Sequence, residues 1–68
     1  MDPKNAVRQY RTRLGLNQEA LAEQVGVSRQ TIIAIESGGY TPSVTLALKL
    51  AYALDAPIES LFWLENGA

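Results

Sequence analysis

The amino-acid sequence predicts an all-α fold, a compact bundle of five helices with room for a short C-terminal β-strand, and three observations lead to it. Apolar residues recur at helical spacing along successive stretches, as in Leu21, Ala22 and Val25, then Ile32 and Ile35. The stretches are bracketed by a polar capping residue in front and a glycine behind, Asn17 with Gly26 and Ser28 with Gly38. Between Val25 and Glu36, in VGVSRQTIIAIE, one helix ends at a glycine and the next begins almost at once, which is the layout of a helix-turn-helix.

Taken in order, Asp2 and Pro3 read as a helix start, a capping carboxylate followed by a proline where its missing N–H costs nothing. Val7, Tyr10, Arg11 and Leu14 then share a face, and Arg11 is a charge among apolar neighbours that needs a partner if it is buried. Gly15 ends this helix and Leu16 is free to fold back onto it. Asn17 caps a second helix, Gln18 to Val25, with Leu21, Ala22 and Val25 inward and Glu19 and Glu23 toward solvent. Gln18 falls in the first turn beside N–H groups that form a natural phosphate site, and spacing alone equally allows a plain helix former there.

In the third helix Ser28, Ile32 and Ile35 fall on one face and are expected inward, while Gln30, Ile33 and Ala34 gather opposite with Arg29 at the margin. Two adjacent long hydrogen-bonding side chains on an outward face suit base edges. Ser37-Gly38-Gly39 is a stop and Tyr40-Thr41-Pro42 a loop. Ser43 caps a fourth helix, Val44 to about Leu54, whose polar strip of Thr45, Lys49 and Tyr52 is so narrow that the helix is expected at the centre of the fold. Asp55-Ala56 breaks it, Pro57 opens one short helical turn, and Ile58 and Leu61 return to the core. Phe62 to Glu65 is too short for a helix and suits a strand, with Asn66-Gly67-Ala68 as a frayed end.

At 68 residues the chain is one domain near the lower size for a self-sufficient core, so tight packing or association must help. With no cysteine and no histidine there is neither a disulfide framework nor a thiolate or zinc site, and no cofactor is expected. An enzyme is not expected either, since no phosphate-cradling glycine loop exists and Glu19, Glu23 and Glu36 are scattered. No small-molecule substrate is evident. Nothing resembles a signal peptide, and the most apolar stretch, Val44 to Leu54, is too short to cross a bilayer, so a cytoplasmic protein without a membrane partner is expected. The net charge of −1 argues against a general nucleic-acid glue. Its distribution is more telling: residues 1–39 carry five cationic against four acidic side chains, and the remainder one against three. That sign suits a first half that faces phosphate and a second half that faces protein.

With these residues in place, the stretch LGLNQEALAEQVGVSRQTIIAIESGGYTPS, the apolar LALKLAYAL and the ending PIESLF resemble the lambda repressor and Cro family of helix-turn-helix regulators. Within it the chain looks most like the very short bacterial repressors. The resemblance covers Lys4 to Leu64 and implies a single domain over 1–68, with the helix-turn-helix at about 18–36. It implies that Gln18 contacts phosphate and braces the recognition helix, that Ser28, which opens that helix, belongs to the DNA-binding set, and that Arg29 and Gln30 read the major groove of double-stranded DNA. Thr31 would approach the backbone, and Ile33 and Ala34 would touch thymine methyls or the sugar edge. Many relatives carry a basic residue in the loop that reads Gly39-Tyr40-Thr41 here. This chain has none, which leaves Tyr40 and Thr41 to that task. The resemblance also pairs Arg11 with Glu36 as a structural ion pair.

The leading expectation is a sequence-specific transcriptional regulator, a homodimeric repressor of a palindromic operator. An antitoxin of a toxin–antitoxin pair and a protein-interaction module without a DNA role are the alternatives. Dimerisation is expected through a segment at about 58–65, where Phe62, Trp63 and Leu64 exceed what a small core can receive and Ile58 and Leu61 assist.

Overall fold

Two short terminal strands enclose five helices in the computed structural model, which describes residues 3–64. The order is β1 Pro3–Asn5, α1 Val7–Arg13, α2 Gln18–Val25, α3 Arg29–Ser37, α4 Val44–Ala53, α5 Ile58–Leu61 and β2 Phe62–Leu64. Each of α2, α3 and α4 starts at the polar residue that marks it in the sequence. Asn17 Oδ1 accepts from the Ala20 N–H at 2.7 Å, Ser28 Oγ from Thr31 at 3.2 Å and Ser43 Oγ from Leu46 at 3.1 Å. Such side chains satisfy N–H groups that the first turn leaves without intrahelical partners.

The ends are equally local. Gly26 and Gly38 take left-handed backbone with φ of 76° and 86°, which lets the Val27 N–H reach the Ala22 carbonyl and the Gly39 N–H the Ala34 carbonyl. With both corners fixed, α2 and α3 turn their apolar faces onto one core. Val7, Leu21, Val25, Ile32, Ile35, Leu50, Leu54 and Leu61 are buried there, and Tyr10, Leu16, Val27, Ile58 and Phe62 pack around them.

Three expectations need correction. The first helix does not begin at Pro3: Pro3, Lys4 and Asn5 form β1, antiparallel to β2, with Pro3 opposite Leu64, Lys4 opposite Trp63 and Asn5 opposite Phe62. Proline is tolerated because it opens the strand. The α1 start is marked instead by Asn5, whose Oδ1 accepts from the Val7 N–H at 3.1 Å, while Asp2 lies outside the described residues. Ser28 caps α3 but is exposed, since a cap side chain must lie beside the helix end. And α4 is not enclosed. Leu46, Ala47, Leu50 and Ala51 face inward against α2 and α5, while Val44, Leu48 and Tyr52, four residues apart along one stripe, are 75%, 53% and 90% exposed. In so small a domain, packing covers one side of this helix only. No described helix is long and apolar enough to cross a membrane.

Candidate nucleic-acid interface

The outer face of α3 is presented by what lies beneath it. Ile32 and Ile35 are fully buried, which at about 100° per residue turns Arg29, Gln30 and Ile33 outward. All three are exposed, and Ala34 is half-buried at the edge of the same face. Thr31, also half-buried, has its hydroxyl 3.1 Å from Ser28 Oγ, so the two hydroxyls form one unit at the start of the helix. Tyr40 and Thr41 are exposed in the loop that follows α3. The structure therefore brings Ser28, Arg29, Gln30, Thr31, Ile33 and Ala34 onto one helix.

Beneath this face lies the charge that α1 contributes. Arg11 Nε donates to Glu36 Oε2 at 2.7 Å and its second terminal nitrogen to Oε1 at 3.2 Å, a two-point contact in which the side chains are 10% and 7% exposed. The remaining nitrogen donates to the Leu16 carbonyl at 2.9 Å. A buried charge without such partners is costly, and a planar guanidinium meets all three acceptors at once. Gln18 completes the cluster: its Nε2 donates to Glu36 Oε1 at 3.1 Å. Because a carboxylate only accepts, the amide nitrogen must face it, leaving the Gln18 carbonyl oxygen for other contacts. Thus α1, the start of α2 and the end of α3 meet at a single carboxylate.

Above the ion pair runs a shallow groove lined by Arg8, Asn17, Gln18, Ile33 and Ser37. It joins the α3 face to the first turn of α2. Local spacing assigns Arg8 no role, although its position three residues before Arg11 puts it on a neighbouring part of α1. Arg8 is exposed, and it supplies a cation where the loop after α3 has none. Asn5 was also missed. Its Nδ2 donates to the Ile35 carbonyl at 2.9 Å, across 30 residues of sequence. A local pattern gives no signal for either role.

The terminal residues divide. Leu61 is fully buried in the chain's own core, Ile58 and Phe62 are half-buried, and Trp63 and Leu64 are 42% and 60% exposed. One edge of β2 is occupied by β1, so a further strand must use the other. Glu65 lies outside the described residues, as do Asn66, Gly67 and Ala68.

A capped two-helix corner whose second helix turns Arg29, Gln30 and Ile33 outward is a helix-turn-helix. The comparisons agree: the family model described as Helix-turn-helix, HTH_3, matches residues 7–61, and the chain belongs to that family. An uncharacterized HTH-type transcriptional regulator of Bacillus subtilis (strain 168), YgzD, is 53% identical over 63 residues, covering 93% of this chain and 96% of the relative. Among solved structures, the restriction-modification controller protein C.AhdI from Aeromonas hydrophila superposes with a TM-score of 0.76 at 41% identity, over 82% of this chain and 81% of that one. The P22 c2 repressor protein, in complex with a synthetic operator, gives 0.75 at 32% identity, over 78% and 80%. The chain is a regulator of this class and not an enzyme.

Proposed function

We propose that residues 1–68 act as one domain, a cytoplasmic homodimeric repressor that occupies a palindromic operator. The observation that carries this reading is the joint exposure of Arg29, Gln30 and Ile33 on α3 beside the groove of Arg8 and Gln18. Arg29 and Gln30 have the fork-like donors and acceptors that read guanine and adenine edges, Ile33 and Ala34 suit thymine methyls, and Arg8, Gln18, Thr31, Tyr40 and Thr41 suit the phosphate backbone. The similarity to a repressor crystallised with an operator supports the assignment. One such corner covers too few base pairs to single out an operator, so two copies must hold their α3 helices about one DNA turn apart, roughly 34 Å.

Trp63 and Leu64 are the surface proposed for that pairing, carried by the buried Leu61 and the half-buried Ile58 and Phe62 within segment 58–65. An aromatic and an aliphatic side chain left exposed at successive positions of β2, and so on its two faces, suit an interface at the end of a small domain. Selection of bound sequences from a random duplex pool tests DNA recognition and symmetry together: a two-fold consensus with half-sites one turn apart is expected, and an unselected pool sinks the reading. For the interface, Trp63→Ser with Leu64→Lys leaves the β1–β2 pairing in place and is expected to sediment as a folded monomer. A dimer that survives it moves the contact to the Val44, Leu48 and Tyr52 stripe of α4.

A further inference from the structure

One side chain of the terminal ribbon, Asn5, uses both of its polar atoms to tie the ribbon to its neighbours, the reading helix among them. Asn5 lies in β1, paired with Phe62 of β2, and the ribbon is fastened again one residue on, where the Ala6 N–H donates to the Leu61 carbonyl at 2.9 Å. From that position Asn5 Oδ1 accepts from the first N–H of α1, and Nδ2 donates to the Ile35 carbonyl in the last turn of α3. That carbonyl belongs to the group that a helix end leaves without intrahelical partners, and it also accepts from the Gly38 N–H at 3.0 Å. The adjoining groove is lined by Lys4, Asn5, Ser37, Gly38 and Trp63, so the side chain proposed to meet a second copy borders the end of α3.

We infer that Asn5 is a positioning residue that couples the dimerisation ribbon to the orientation of α3 on DNA. The inference rests on the function proposed above. A helix of nine residues is a lever about 13 Å long, and Arg29 and Gln30 sit at the end far from Asn5. Three side chains hold the near end: Arg11 and Gln18 grip the Glu36 carboxylate, and Asn5 grips the Ile35 backbone. The Arg11 tie joins α3 to α1, whereas the Asn5 tie joins it to the ribbon. A partner that seats on Trp63 therefore sets α3 as it binds, and the ribbon is the route by which pairing and base reading favour each other.

The test uses the full chain with Asn5→Asp and Asn5→Ala. A carboxylate at this position still accepts from the Val7 N–H but has no N–H for the Ile35 carbonyl, whereas alanine removes both contacts. Two readouts are taken: amide exchange at Gly38 and Gly39, and the affinity ratio between the duplex selected by the wild-type chain and a scrambled duplex. For Asn5→Asp, unchanged cooperative unfolding is expected, with exchange at the end of α3 faster by about tenfold and the ratio lower by about tenfold. Binding to the scrambled duplex should stay the same. Wild-type exchange and wild-type discrimination in Asn5→Asp, with losses only in Asn5→Ala, would reduce Asn5 to a helix cap and overturn the coupling. So would an equal loss on both duplexes that tracks global stability. Failure of the wild-type chain to select any duplex sinks the DNA reading instead, and exchange at Gly38 and Gly39 still decides whether the ribbon holds α3.

Discussion

The helix-turn-helix and the terminal ribbon are specified over opposite distances along the chain. Every end of α2 and α3 is set by partners within five residues: Asn17 with Ala20, Val27 with Ala22, Ser28 with Thr31, Gly39 with Ala34. In the ribbon Pro3 meets Leu64 and Asn5 meets Phe62, and nothing near Pro3 predicts it. The difference teaches that the corner can form its own shape, while its placement on the rest of the molecule is fixed from afar. Two such ties reach α3, Arg11 to Glu36 over 25 residues and Asn5 to Ile35 over 30.

The largest effect is expected where a distant tie carries charge. Arg11→Ala or Glu36→Ala strands the surviving partner in a buried site and should cost ~3–5 kcal/mol. A domain of this size has a total stability of about 3–10 kcal/mol, so either variant is expected to be partly unfolded at 25 °C. Replacing both with apolar side chains, Arg11→Met with Glu36→Leu, should cost only about 1–2 kcal/mol, because Gln18 and the Leu16 carbonyl also lose a partner. Denaturant unfolding of the wild type, Arg11→Met, Glu36→Leu and the double variant measures the coupling. A coupling energy below about 1 kcal/mol, the level of an exposed pair, would mean that α3 is placed by local signals after all.

What was legible in the sequence follows the same division. The three-residue reach of a cap and the five-residue reach of a glycine turn are visible in a short window, so α2, α3 and the start of α4 are readable from Asn17, Gly26, Ser28, Gly38 and Ser43. Pro3 departs from expectation because a proline after a capping residue is a sound local signal, and a strand partner some sixty residues away outweighs it. Val44 and Leu48 depart from expectation for a related reason: the composition of α4 records how apolar its faces are, not how many neighbours are available to cover them. In the site, the outward set of Arg29, Gln30 and Ile33 follows from periodicity alone. Arg8 becomes interesting only once α1 is seen beside Gln18, and Asn5 only once the ribbon is closed.

An intermediate effect separates the two kinds of DNA contact proposed. Arg29→Ala or Gln30→Ala should lower affinity by ~1–3 kcal/mol for the preferred base at one position each, leaving other operator variants nearly equal to one another. Arg8→Ala should weaken all duplexes alike and reduce the slope of log affinity against log salt by about 1. Gln18→Ala should also act uniformly, with a small stability loss through Glu36. Titrations of the selected duplex and its single-base variants at several salt concentrations distinguish them. Base-selective losses in Arg8→Ala would place α1 in the groove rather than on the backbone.

The smallest effect concerns two helix ends with the same geometry and different residues. In the corner, Gly26 holds φ at 76° with no atom within 4 Å of where a Cβ would stand. Before the ribbon, Asp55 holds φ at 53° after α4, and the Ala56 N–H reaches the Ala51 carbonyl at 3.0 Å in the same five-residue closure. Left-handed backbone costs a residue with a side chain roughly 1–2 kcal/mol, least for aspartate and asparagine, and glycine gives back about 0.4–1 kcal/mol of that through the freedom of the unfolded chain. Gly26→Ala should therefore destabilise by roughly 0.5–1 kcal/mol with no steric contribution, and Asp55→Gly should stabilise by up to about 0.5 kcal/mol. Shifts in the denaturant midpoint at unchanged slope would report both. If Asp55→Gly instead destabilises, the aspartate side chain contributes a local contact at the end of α4 that offsets its backbone cost, and the approach to the ribbon is then as locally specified as the corner.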